Sequence, residues 1–75
     1  MKEYEISIKY YNACGGPAYA QTRFDEAKLQ NTDDYVRAKH GREFLQFVKE
    51  ILPDGRIVYK FDNGSVTYIY EFTEL

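Results

Sequence analysis

The chain contains one cysteine and one histidine, the side chains most often used for nucleophilic catalysis and for binding transition metals. Cys14 lies in a glycine-rich segment, and His40 lies far from it in the sequence. A thiol nucleophile needs a base and a neighbouring cation that lowers the pKa of the thiol, and no Lys or Arg is adjacent to Cys14. We therefore interpret Cys14 as a small loop residue and His40 as a hydrogen-bonded core or interface residue. Thiol chemistry at Cys14 is the alternative.

Carboxylates that could hold a cation occur as the pairs Asp25-Glu26 and Asp33-Asp34. Neither pair has the ligand spacing of a calcium loop, and a single Cys and a single His on different elements cannot complete a zinc site. Acidic residues at the start of a helix are instead stabilised by the helix dipole. We expect no metal site and no cofactor.

The glycine pair Gly15-Gly16 could present backbone amides to an anion. A phosphate-binding loop, however, follows a strand and opens a helix, and that context is missing here. A hairpin loop that needs positive φ explains the glycines better. Elsewhere the acids alternate with bases on strand faces or lie at helix ends, so no cleft that would raise a carboxyl pKa is indicated. The sequence therefore predicts a protein that is not an enzyme.

Length and composition limit the function further. The chain has 75 residues, eight Tyr, five Phe and a formal net charge of −2. This length predicts a single domain, residues 1–75, and the aromatic side chains supply the large core residues that so short a chain needs. A single cysteine, no apolar leader segment and no apolar run of about 20 residues predict a cytoplasmic protein with no membrane segment.

Alternating residues at the start of the chain predict a β-hairpin. The apolar side of the first strand carries Tyr4, Ile6, Ile8 and Tyr10. A five-residue loop over residues 13–17 leads to a second strand, residues 18–24, and would place Phe24 opposite Ile6. We therefore expect Phe24 to face the core. Residues 25–30 are assigned to one or two helical turns with Asp25 as the N-cap.

Residues 31–51 predict an amphipathic helix. Its start combines the capping residue Asn31 with Asp33 and Asp34, which suit the positive end of the helix dipole. One stripe of this helix carries His40, Phe44, Phe47, Val48 and Ile51. Gly41 interrupts the pattern and leaves open whether it splits the helix or allows close packing. We expect one helix, kinked at Gly41.

The C-terminal part of the chain predicts a second β-hairpin. Pro53-Asp54-Gly55 ends the helix, and Asn63-Gly64 is the preferred pair for a type I′ turn between strands 56–62 and 65–73. With Asp62 opposite Ser65, Val58 pairs with Ile69. The predicted fold is therefore α+β: a two-layer sandwich in which a four-stranded, mainly antiparallel sheet of two hairpins, in ββαββ order, packs on one amphipathic helix.

One helix leaves the second face of such a sheet uncovered, and this face mixes apolar, aromatic and charged side chains. Aromatic residues beside Arg are typical of protein interfaces. We expect the chain to bind another protein, or a second copy of itself, through this face or through a strand edge. The residues predicted to bind are Tyr11, Tyr19, Arg23, Val58 and Ile69.

The alternative from a different class is single-stranded nucleic acid bound on the same face. Tyrosines would stack on bases, and the phosphates would contact Lys9, Arg23, Arg56 and Lys60. The acidic balance of the chain opposes these phosphate contacts. A third interpretation assigns no function to the face, because Val and Ile favour strands and Tyr tolerates solvent.

Overall fold

The computed structural model of the chain describes residues 1–12 and 20–75. In this part of the chain the elements are β1 (Lys2–Asn12), β2 (Gln21–Leu29), α1 (Thr32–His40), β3 (Val48–Ile51), β4 (Ile57–Asp62) and β5 (Val66–Glu74). The strands form one antiparallel sheet in the order β2-β1-β5-β4-β3. The α+β class is therefore confirmed, whereas the predicted four strands and ββαββ layout are wrong.

The core lies between α1 and one face of the sheet, which we call the inner face; the opposite face is the outer face. The buried apolar cluster of this core consists of Tyr4, Ile6, Val36, Tyr59, Tyr70 and Phe72. The Phe72 ring meets Tyr4 and Tyr59 edge to face, at centroid distances of 6.1 and 5.5 Å. This geometry brings the positive ring edge to the negative ring face. These aromatic side chains are among the large core residues that the composition predicted.

The helix is much shorter than the sequence predicted. Its start is as expected, since the Asn31 side chain accepts a hydrogen bond from the Asp33 amide. Its end is at Gly41, whose φ of 58° lies in a region that L side chains rarely adopt. A 3₁₀ helix, Gly41–Gln46, follows. Gly41 therefore ends α1, and the prediction of one kinked helix is wrong.

Residues predicted to complete that helix form β3 instead. Val48 lies opposite Lys60 of β4, and the Leu52 amide donates to the Arg56 carbonyl at 2.8 Å across the connecting turn. Gly55 in this turn has a φ of 94°. Pro53-Asp54-Gly55 is thus a hairpin turn, and the short apolar pattern before it was open to either a helix or a strand.

The register between β1 and β2 differs from the predicted one by a single residue. Ile6 lies opposite Asp25, and Phe24 lies opposite Ser7. Because side chains alternate across a strand, this shift moves Phe24 to the outer face. The strand also continues through the predicted helical turns at 25–30, where Ala27 and Leu29 pack against the core.

The hairpin of β4 and β5 is present, but its turn lies one residue later than predicted. Gly64 has a φ of 88°, and no described non-glycine residue has positive φ. The strand register centres the turn on Gly64-Ser65. Type I′ needs positive φ at both central residues, whereas here Gly64 alone has it, so the turn matches the Gly-X pattern of type II′. Tyr59 consequently pairs with Tyr70. A shift of two residues changes the pairs but keeps every side chain on its predicted face.

Candidate interaction surface

The five residues predicted to bind a partner are divided between the two faces of the sheet. Tyr11, Val58 and Ile69 lie on the outer face, as expected from the registers. Arg23 is on the inner face, opposite Ile8, because of the one-residue shift in β2. Its predicted place beside the other three residues is therefore wrong. Tyr19 lies outside the described residues.

Arg23 instead borders a depression on the inner face. Ile8, Tyr10 and Tyr68 line the same depression, and the rings of Tyr10 and Tyr68 lie 5.0 Å apart. All three of these side chains are partly buried.

The strand registers arrange the outer face in rows that run across the sheet. From β2 to β3, one row reads Phe24, Ser7, Glu71, Val58 and Glu50; we call it the acidic row. The next row reads Thr22, Lys9, Ile69, Lys60 and Val48; we call it the basic row. Neighbouring side chains within a row belong to strands about 4.8 Å apart. The carboxylates lie in the acidic row and the lysines in the basic row, so charges of opposite sign lie in separate, adjacent rows.

Apolar side chains lie in both rows. Val58 pairs directly with Glu71, so the predicted direct pair of Val58 and Ile69 is wrong. The two are diagonal neighbours, and Val48 is diagonal to Val58 on its other side. Phe24 and Val48 are 71% and 69% exposed. Large apolar side chains with this exposure are the usual anchors of a binding surface.

Sequence reasoning missed Phe24 and Val48 as surface residues. A signal for Phe24 was available in Ala27 and Leu29, which alternate with the charged residues Glu26 and Lys28 and so favour the odd-numbered side of β2 as the core side. A signal for Val48 was the hairpin turn at 53–55, which is flanked by β-branched residues on both sides. Neither signal decides the matter locally, because each depends on pairing with another strand.

Some charges of the outer face are paired with one another. Arg56 donates to Glu71 and to Asp54, in both cases at 2.7 Å. These hydrogen bonds, with Glu71 first, raise the pKa of Arg56. At the other side of the face Lys28 lies 3.6 Å from Glu3. These pairs neutralise part of the surface and leave other charges available.

Other charges of the outer face have no ion-pair partner within the described residues. On the basic row these are Lys9 and Lys60, and on the acidic row Glu50. Glu5 and Glu26 moreover lie directly opposite each other on β1 and β2. Like charges in a cross-strand pair destabilise a sheet. The face thus carries charges that a complementary surface would stabilise.

The sheet has edges at β2 and β3. At β2, the Asp25 carboxylate accepts from the Glu26 amide at 2.9 Å and from the Tyr35 hydroxyl at 2.8 Å. The hydrogen bond from Tyr35 is the main reason that the pKa of Asp25 lies below its usual value. At β3, the edge is only four residues long. Short edges and inward-pointing charges are features that oppose strand addition.

The one histidine is part of the packing between α1 and the sheet. The side chain of His40 is 6% exposed, and its Nε2 lies 2.6 Å from the Tyr70 hydroxyl. The rings of Phe47 and Tyr68 lie 4.8 and 4.6 Å from the imidazole. Burial raises the pKa of Tyr70 to about 12. His40 is thus a hydrogen-bonded core residue, while Cys14 lies outside the described residues.

Within residues 1–12 and 20–75 there is no group of three or more His, Cys, Asp or Glu side chains arranged to hold a metal ion. No helix in the same residues has the length and apolar character needed to cross a membrane. In comparisons with known proteins, the chain matches no family model, no curated protein and no solved structure.

Proposed function

We propose that this chain is a small, non-catalytic protein-interaction module that binds another protein through its outer face. The observation that carries the proposal is an exposed apolar patch on this face: Val48, 69% exposed, is diagonal to Val58, which is diagonal to Ile69, and Phe24, 71% exposed, lies at the other end of the acidic row. Among the described residues, the helical segments pack on the inner face and leave this surface free. With a single cysteine the chain cannot form an internal disulfide, and we place its action in the reducing cytoplasm.

The outer face is a better candidate than a strand edge. Strand addition needs free amide and carbonyl groups along an edge. On β2 the Glu26 amide is occupied by Asp25, and Arg23 and Asp25 place charges on the inner side of that edge. On β3 the edge is short. These features restrict pairing at the edges, whereas no residue of the described ranges 1–12 and 20–75 protects the outer face in a comparable way.

A protein partner also fits the face better than nucleic acid does. Arg23, one of the four cations expected to contact phosphates, lies on the inner face. Arg56 is hydrogen-bonded to two carboxylates, Asp54 and Glu71. Lys9 and Lys60 would have to bind phosphates beside Glu50 and Glu71, and such a surface has no net positive charge to attract a polyanion.

The proposal is tested by removing the apolar centre of the face. We expect the double variant Val58→Ser, Ile69→Ser to fold and to lose its protein partner, because both side chains are only partly buried against their own chain. The matched control is Leu45→Ser, Ile51→Ser, which changes exposed apolar residues away from the outer face; these are 87% and 66% exposed. Binding is measured by affinity capture from the native host followed by mass spectrometry, and self-association by sedimentation velocity.

Circular dichroism first establishes that both double variants are folded. Loss of a specific partner, or of self-association, in the outer-face variant and not in the control supports the proposal. Equal binding by the two variants contradicts it. A parallel titration with labelled single-stranded oligonucleotides at low salt tests the other class of ligand. Tight binding there that weakens steeply with salt would replace the protein proposal with nucleic acid.

A further inference from the structure

The charge pattern of the outer face is complementary to itself. The acidic row holds Glu71 and Glu50, and the adjacent basic row holds Lys9 and Lys60. Ile69 lies between the two lysines, and Val58 lies between the two glutamates. Two copies of one surface can therefore satisfy each other if a rotation brings the acidic row of one onto the basic row of the other.

Only one of the two simple two-fold arrangements does this. When two identical sheet faces stack, the two-fold axis lies in the plane between them. An axis parallel to the strands keeps each row opposite its own copy and brings Lys9 close to Lys60 of the second copy. An axis parallel to the rows, midway between them, places each acidic row on the opposing basic row. The strands of the two sheets then remain aligned, as in common sheet sandwiches.

We infer that the partner of the outer face is a second copy of this chain, stacked face to face about the axis parallel to the rows. The inference rests on the proposed function of that face. In this arrangement Glu50 lies beside Lys60 of the second copy, and the symmetry repeats the pair. Glu71, which also accepts a hydrogen bond from Arg56 of its own chain, lies between Lys9 and Lys60 of the second copy. Stacked sheets are about 10 Å apart, a gap that extended Glu and Lys side chains span.

The apolar residues fit the same arrangement. Val58 packs against the aliphatic stem of Lys60 from the second copy, because long cationic side chains bury their methylene groups while the ammonium reaches a charge. A sheet of five strands spaced about 4.8 Å apart, over roughly 25 Å of strand, covers about 600 Å² per copy. The total of about 1,200 Å² is at the lower end of specific interfaces, so we expect a weak dimer that depends on concentration.

Charge reversal tests the pairing of Glu50 with Lys60. The variants Lys60→Glu and Glu50→Lys each turn two attractive pairs into two repulsive ones. We expect each variant alone to self-associate at least about tenfold more weakly than the wild type. An equimolar mixture of the two variants restores opposite charges at both Glu50–Lys60 pairs, so it forms a heterodimer more stable than the homodimer of either variant. Sedimentation velocity over a concentration series measures all of these species.

The mixture is the decisive sample. A local effect of either substitution on its own subunit cannot be repaired by adding the other variant, whereas a lost intermolecular pair can. The control is Arg42→Glu, which makes the same charge change as Lys60→Glu on the exposed 3₁₀ helix and should leave self-association unchanged. Wild-type association should also weaken as salt is raised.

Each result has one meaning for the inference. Weakening by both single variants with restoration in the mixture supports it. A wild-type chain that is monomeric at every concentration overturns it, and so does a dimer that responds to Arg42→Glu as much as to Lys60→Glu. Weakening without restoration in the mixture also overturns it, since the axis would be wrong. If the chain is monomeric while Val58→Ser, Ile69→Ser abolishes capture of a different protein, the inference fails and the proposed function stands.

Discussion

Removing the Tyr59 hydroxyl tests whether the polar contacts at the start of α1 stabilise the fold. Tyr59 is 1% exposed and Thr32 is 4% exposed. The Tyr59 hydroxyl donates to the Asp33 carboxylate and lies 2.8 Å from the Thr32 hydroxyl. Because the single Tyr59 proton is used on Asp33, Thr32 donates to the Tyr59 oxygen. These bonds attach the first turn of α1 to β4.

The substitution Tyr59→Phe keeps the ring packing and removes the hydroxyl. The lost bond to a carboxylate contributes roughly 1.5–3 kcal/mol to the free energy of unfolding. Lys49 still lies 3.2 Å from Asp33, and the Asp33 side chain is 27% exposed. Water and Lys49 therefore replace part of the lost hydrogen bond to the carboxylate. We therefore expect a loss of about 1.5–2 kcal/mol, which lowers the Tm of a domain this size by about 6–16 °C.

The same variant should change the response to acid. The hydrogen bond from Tyr59 is the main reason that the pKa of Asp33 lies below its usual value of 3.8. A carboxyl group with a depressed folded-state pKa stabilises the fold above its unfolded pKa, and this contribution is lost as the pH falls through the folded pKa. The difference in stability between wild type and Tyr59→Phe should therefore be largest near neutral pH and shrink below about pH 4.

Urea denaturation followed by circular dichroism measures these free energies at neutral pH and near pH 3. The matched control is Tyr11→Phe, which removes a hydroxyl that has no hydrogen-bond partner within the described residues. We expect this control to change stability by less than about 0.5 kcal/mol. If Tyr59→Phe costs no more than Tyr11→Phe, or if its effect is the same at both pH values, the reasoning about this network is refuted.

Two further substitutions test the corrected registers. Phe24→Ser should change the free energy of unfolding by less than about 0.5 kcal/mol, because the side chain is 71% exposed; a loss of several kcal/mol in urea denaturation would instead place Phe24 in the core. Gly64→Ala should cost roughly 1–2 kcal/mol in the same assay, because Gly64 has a φ of 88°. A neutral effect at Gly64 would contradict the turn described for β4 and β5.

Much of the fold was predicted correctly where the residue pattern is contained in one element and continues over several residues. The alternation in β1 and in the hairpin of β4 and β5 predicted their core faces correctly, since a period of two residues is encoded in each strand by itself. The N-cap at Asn31 was predicted correctly because it depends on residues that are close in the sequence. The turn at Gly64-Ser65 lies one residue later than the predicted turn. This moves the pairing register by two residues, so every side chain stays on its predicted face.

The candidate surface was predicted only in part. Tyr11, Val58 and Ile69 were correctly expected on the outer face because they lie on strands whose alternation is unambiguous. Arg23 and Phe24 exchanged faces because β2 has weak alternation, and its register with β1 decides which side is buried. That register is a property of two strands together.

Composition and residue alternation were enough to predict an α+β domain with an aromatic core and to locate the strands with strong alternation. Packing and strand pairing were needed to show that Gly41 ends the helix and that residues 48–51 join the sheet as a fifth strand. A short apolar segment fits either a helix or a strand, and pairing with β4 decides between them by satisfying its backbone groups. That pairing also exposes Val48 and completes the two charged rows of the outer face.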